Sequence, residues 1–153
     1  MTQFTVTRRM PYPPQQLYAI AAAVEDYAKF LPLCGASQVS GRRVDTEGRE
    51  HFTGELQIAY AKLNLRETFR SQVTADASRL MVRSQSSEPP MQHLDSRWIF
   101  RPDGNGGSEV EFSVDFTLSS RLLHGLVTGL FDYALRKVMT AFEARAAELY
   151  GPR

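Results

Sequence analysis

Between Val110 and Leu118 every second residue is apolar: Val110, Phe112, Val114, Phe116 and Leu118 alternate with Glu111, Ser113, Asp115 and Thr117. A period of two predicts a strand with one buried and one wet face. From Ser119 to Tyr150 the period lengthens. Leu122, Leu123, Leu126, Val127, Leu130, Phe131, Ala134, Leu135, Val138, Met139, Phe142, Ala146 and Leu149 recur at steps of three and four. That spacing predicts one broad apolar side of a helix, too wide to face water. A helix of about 30 residues is roughly 45 Å long. Ser119 or Ser120 caps its start, and Gly151-Pro152 stops it.

The preceding chain reads as strands with one helical interruption. Phe4, Val6 and Met10 alternate with polar residues and open the chain as a strand. Tyr12-Pro13-Pro14 ends it. Residues 15–30 carry a helical pattern, read as two short helices with Asp26 capping the second, and Pro32 stops the run. A short polar strand is expected at Val39–Val44. Another follows with Phe52, Gly54, Leu56, Ile58 and Tyr60 on one face, then one with Leu63, Leu65, Phe69 and Val73 inside. Leu80 and Val82 mark a fifth strand, ended by Pro89-Pro90, and Trp98 and Phe100 a sixth. Asp103-Gly104-Asn105-Gly106-Gly107 is hairpin chemistry. The pattern predicts an α+β fold, a curved antiparallel sheet of about seven strands around the long C-terminal helix, with two short helices after the first strand.

Composition narrows the function. A chain of 153 residues is read as a single unit, 1–153, large enough for a real core. The formal net charge of +1 gives no global electrostatic case for DNA or a strongly acidic partner. One cysteine, Cys34, excludes an internal disulfide framework and a cysteine-rich metal site. No apolar run is long enough to span a bilayer, and Met1 to Met10 lacks the run of a signal peptide. The reading is a cytoplasmic bacterial protein.

Polar chemistry is sparse. His51, His93 and His124 are the histidines, and none has a second ligand at metal spacing, so no metal site is expected. Cys34 has no evident base and reads as a small buried hydrophobe. Glu67 shares the parity of Leu65 and Phe69, which places a carboxylate on the apolar face. It is read as an acid or head-group partner, or else as turned outward by a bulge or satisfied by an arginine such as Arg97. Arg8, Arg9, Arg42, Arg43 and Arg49 are close in sequence but interleaved with Glu47 and Glu50, and form either a solvated face or a patch for lipid or RNA. No phosphate-binding loop or nucleophile–base set argues for catalysis. Phe52, Leu56, Ile58, Leu65, Phe69, Trp98, Phe100, Phe112, Val114 and Phe116 face the long helix if the alternation holds. They either fill a core or line a pocket.

The stretch YPPQQLYAIAAAVEDYAKFLPLC at 12–34 resembles the opening of the coenzyme Q-binding START-domain family, through Tyr12, Val24, Glu25, Tyr27, Phe30, Leu31, Pro32 and Cys34. LRETFRSQV at 65–73, LDSRWIF at 94–100 and AFEARAAELYG at 141–151 extend the resemblance over nearly the whole chain. Glu88-Pro89-Pro90-Met91 departs from a Gly-Pro-Phe that relatives carry before the tryptophan strand. The resemblance implies a helix-grip fold of the polyketide cyclase-like superfamily. It also implies a cavity for ubiquinone or a similar polyprenyl quinone, with no other cofactor. The expected lining is Phe52, Leu56, Ile58, Leu65, Glu67, Phe69, Trp98, Phe100, Phe112, Val114, Phe116, Leu123, Val127, Phe131 and Leu135. A quinone carrier for respiration, not an enzyme, touching the inner membrane peripherally, is the first expectation. The same family includes a ribosome association toxin, which makes the large ribosomal subunit the alternative partner. A cyclase or hydrolase using Glu67 is the third reading.

Overall fold

The computed structural model describes residues 2–61 and 64–153, with backbone alone at 2 and 65. The elements are β1 (Thr2–Met10), α1 (Pro14–Ala22), a 3₁₀ helix (Val24–Lys29), β2 (Cys34–Val44), β3 (Glu50–Tyr60), β4 (Leu65–Asp76), β5 (Met81–Ser86), β6 (Met91–Pro102), β7 (Ser108–Leu118) and α2 (Arg121–Tyr150). The strands form one seven-stranded antiparallel sheet in the order β1-β7-β6-β5-β4-β3-β2. The first strand therefore pairs with the last, and the two short helices bridge to the far edge. This is the helix-grip, START-like arrangement that the alternation and the resemblance predict.

The two ends of α2 are packed differently. Its C-terminal half closes a dense core against the sheet and α1. Phe142, Met139 and Ala146 are buried there with Trp98, Phe100, Val82 and Val110 of the sheet and Leu17, Ile20 and Ala21 of α1. Each fully buried large apolar side chain contributes about 1.5–3 kcal/mol. The helix end is pinned by polar contacts as well: Tyr12 Oη donates to Gly151 O at 3.0 Å, and Ser108 Oγ donates to Tyr12 O at 2.6 Å. At the other end Ser120 is the cap, its Oγ accepting from Leu123 N at 3.2 Å. Leu118 N donates to His124 Nδ1 at 3.2 Å, and Ser119 N to Pro90 O at 2.9 Å, tying the helix start to the sheet and to the β5–β6 loop.

Several expectations are corrected. β2 is longer than Val39–Val44 and starts at Cys34. As an edge strand it is exposed along most of its length, so it carries little hydrophobic alternation. Asp26 caps nothing; it lies inside the 3₁₀ helix and pairs with Lys29 at 3.0 Å. Leu80 sits before β5 in the turn, with φ of 52°. Leu63, expected on an inner face, lies outside the described residues. On α2 the apolar side is not wholly covered: Leu122, Leu126 and Leu130 face solvent. Gly125 and Gly129 have open space where a Cβ would stand, so they allow no close approach within this chain.

Candidate functional site

The concave face of the sheet is set by the register. Val82, Trp98, Phe112 and Val6 form one row across β5, β6, β7 and β1, and Val73, Ser84, Ser96, Val114 and Phe4 form the next, toward the start of α2. The first row belongs to the dense core. Trp98 stacks on Phe112 at 4.2 Å and on Phe142 of α2 at 4.5 Å between ring centroids, with Phe100 stacked at 6.0 Å. The next row is different in kind, because two of its five members are serines.

Ser84 and Ser96 face each other across β5 and β6, and Ser71 of β4 lies beside Gly54 of β3. All three serines share parity with buried neighbours, Val82, Trp98 and Val73, yet all three are only half-buried. Small side chains in the middle of a concave face leave room above it. The first half of α2 leans toward β1 and β7, where Phe131 packs on Phe4 at 4.8 Å and on Phe116 at 4.7 Å. At this end of the grip the concave positions of β4, β5 and β6 stay partly exposed, while Phe69, Met91, Leu94, Leu123 and Val127 pack against the cluster of Val114, Phe116, Leu118 and Leu135.

The residues expected to line a cavity separate accordingly. Phe52, Trp98, Phe100, Val114, Phe116 and Leu135 are buried in packed clusters. Leu56, Ile58, Glu67, Phe69 and Phe112 on the sheet, with Leu123, Val127 and Phe131 on the helix, are half-buried. Of Leu65 the backbone alone is described, opposite Tyr60. Ser71, Ser84, Ser96, Met91 and Leu94 were missed as partly exposed positions at this end of the sheet. Three serines at inner parity on neighbouring strands were the available signal. Two surface depressions, about 290 and 170 Å³, lie instead near the C-terminal end of α2, around Arg8 and Glu143 and around Phe30 and Arg145. Among the described residues, none of the expected lining borders either.

Polar groups within the grip are few. Glu67 lies opposite Ile58 on the concave face, with no hydrogen-bond or ion-pair partner among the described residues. Arg97, considered as its partner, points to the convex side and pairs with Asp95 at 3.8 Å. The Thr128 hydroxyl oxygen, on the same face of α2 as Leu135, is buried and unpartnered among the described residues. His124 accepts from Leu118 N and lies against Phe116, so it fastens the helix start. His51 is fixed on the convex side, donating to Asp45 Oδ2 at 2.8 Å. That bond, with those from Arg49, holds the Asp45 carboxyl well below the usual range. Burial pushes the Cys34 thiol up, away from a reactive thiolate. The clustered arginines disperse: Arg8 reaches Thr140 and Glu143, Arg42 reaches Glu25 and Glu50, and Arg49 reaches Asp45.

Residues 10–143 match the family described as polyketide cyclase / dehydrase and lipid transport. The chain belongs to this family. Among its relatives is the ribosome association toxin RatA of Rickettsia prowazekii, 30% identical over 97% of this chain and 99% of that one. A mitochondrial coenzyme Q-binding protein of Dictyostelium discoideum is 25% identical over 95% of this chain and 69% of that one. An 18 kDa protein of Caulobacter crescentus, solved in solution, superposes with a TM-score of 0.83 at 31% identity, over 99% of this chain and all of that one. The stretch at 12–34 that carries the resemblance serves the packing of the fold. Tyr12 and Tyr27 are buried and donate to Gly151 O and Ala21 O, and Val24 packs over Gly54.

Proposed function

We propose that the protein binds ubiquinone or a similar polyprenyl quinone in the groove between the sheet and the first half of α2. It acts there as a carrier and not as an enzyme, in the cytoplasm of a bacterium. The observation that carries this reading is the half-exposure of concave-face residues under that half of the helix. A sheet face covered by a helix is normally dry. Here an apolar floor and wall, Phe69, Leu94, Leu123 and Val127, are left half-covered. An isoprenoid tail laid between them gains about 25 cal/mol per Å² of apolar surface buried, less the cost of ordering the tail. Polar positions are spaced along the floor. Serine hydroxyls donate to quinone carbonyls, and the Glu67 carboxylate accepts from the hydroxyls of the reduced form. A relative named as a coenzyme Q-binding protein supports the same class of ligand.

The reading is tested by mixing the purified protein with quinone-loaded vesicles, separating the two, and measuring quinone in the protein fraction. Trp98 is the sole tryptophan and stacks on Phe112, which is half-buried, so uptake beside this pair is expected to quench its fluorescence. One quinone per chain with quenching is expected, and no uptake would sink the proposal. A second reading, association with the large ribosomal subunit, is supported by the relatives named as ribosome association toxins. It predicts a shift in ribosome profiles that does not depend on the groove.

A further inference from the structure

The outward face of α2 changes character halfway along. Over its C-terminal half that face carries Thr140, Ala144 and Glu148, as a solvated helix face does. Over the first three turns it carries Leu122, Leu126, Leu130 and Tyr133, exposed by 77%, 46%, 39% and 61%. Steps of four, four and three keep these four in one line along the helix. Between Arg121 and Asp132 no residue is a lysine, arginine, aspartate or glutamate. The exposed apolar half packs its inner side on β1 and β7 through Phe131, while the polar half stands over the dense core.

We infer that this stripe is a docking surface for an anionic lipid bilayer, and that α2 lies on the membrane with Leu122, Leu126 and Leu130 in the headgroup–acyl boundary. It rests on the quinone-binding reading, since a bilayer is where a polyprenyl quinone is held. Charge supports the choice of partner. Arg121, Arg136 and Lys137 are exposed at the two ends of the stripe, against one carboxylate, Asp132, which is paired with Arg136 at 3.2 Å. Lys137 lies over the ring of Tyr133, 5.3 Å from its centroid, an arrangement that lets the ring sit at headgroup depth while the ammonium stays wet. Each basic residue near an anionic surface strengthens binding about fivefold. Leu33, 43% exposed, lies at the same end of the sheet, where β2 begins and β3 ends.

Size argues against a second copy of the chain as the occupant. Leu122 to Tyr133 spans about 18 Å. Two such stripes bury roughly 400 Å², against about 1,200 Å² at the low end of stable interfaces. A bilayer sets no such threshold, because each leucine partitions on its own.

The test uses quinone-free vesicles, one set of pure phosphatidylcholine and one with phosphatidylglycerol added, in a co-sedimentation assay. The wild-type protein is expected to bind the anionic vesicles, more weakly at high salt, and the neutral ones poorly. Leu122→Gln with Leu126→Gln is expected to reduce binding at least tenfold while leaving thermal stability unchanged, since both side chains face solvent. Quinone uptake from detergent solution stays at the wild-type level in this variant, so failure of docking and failure of quinone binding are told apart. Equal binding of the double variant and the wild type overturns the inference, as does absence of binding to either vesicle. So does a dimer, or a ribosome complex, that forms without lipid and is lost on the same substitutions.

Discussion

Trp98 of β6 and Phe142 of α2 lie nearly parallel, with ring centroids 4.5 Å apart and planes inclined by 22°. The pair holds the C-terminal half of the helix on the sheet. Both residues are almost fully buried, and Phe100 stacks on each of them at 6.0 Å. Truncation of either to alanine is expected to cost about 3–5 kcal/mol of stability. A double-mutant cycle in urea denaturation should return a coupling of about 0.5–1.5 kcal/mol beyond area burial. A small loss at Trp98 with a large loss of quinone binding would place the residue in the groove and not in the core.

The serine floor gives the opposite expectation. Ser84→Leu or Ser96→Leu puts a large apolar side chain into half-covered space, so stability should hold or rise slightly. Quinone uptake should fall at least tenfold, because the groove is filled. In a closed core the same change overpacks and costs about 1–3 kcal/mol. Urea unfolding and uptake measured on the same preparation separate the two cases.

Much of the fold was legible because apolar and polar residues alternate along the inner strands. Val110 to Leu118 and the helix Arg121–Tyr150 fall where their periods predict. The start of β2 was illegible, since an edge strand exposed along its length has no reason to alternate. The groove was legible in parity but not in depth. Leu56 and Trp98 share the inward parity, yet Leu56 is half-buried and Trp98 buried, and the difference is set by where α2 lies. Leu122, Leu126 and Leu130 misled for a related reason. Apolar residues at three- and four-residue steps define a stripe, and a stripe wider than the sheet-facing arc leaves an edge outside.

The glycine pair at the helix start has a sign that the structure predicts. Nothing stands within 4 Å of a Cβ added at Gly125 or Gly129. Each change to alanine should therefore raise stability by up to about 1 kcal/mol. If the helix start has to move to admit the tail, the stiffer helix of this variant should also slow transfer of quinone between vesicles. Calorimetry and a donor–acceptor vesicle assay on Gly125→Ala with Gly129→Ala check both. A sharp drop in stability with unchanged transfer would mean that these positions are packed and that the helix start does not move.

On the convex side the Arg83–Asp95 pair sets part of the acid sensitivity. Arg83 Nε donates to Asp95 Oδ1 at 3.0 Å and its terminal nitrogen to Oδ2 at 2.7 Å. The Arg83 hydrogen bonds hold the Asp95 carboxyl below its usual value, burial opposes this, and the charges of Arg83 and Arg97 add to the lowering. The folded state thus favours the ionised carboxylate more than the unfolded chain does. Its contribution is complete above the unfolded aspartate value, about 3.9, and is lost as pH falls from there through the lower folded value. Asp95→Asn should destabilise at pH 7, and its deficit against the wild type should shrink toward pH 3. A deficit that stays constant over that range would show that the pair is not the cause.

The proposed function requires that a polyprenyl quinone be held between the sheet and the first half of α2. Mass spectrometry of lipid extracted from protein purified out of a quinone-producing bacterium tests it most directly, with the Ser96→Leu variant prepared in parallel. A polyprenyl quinone near one per chain is expected in the wild type, and a strongly reduced amount in the variant. Protein that yields no quinone from either preparation, while the wild type travels with the large ribosomal subunit, would contradict it.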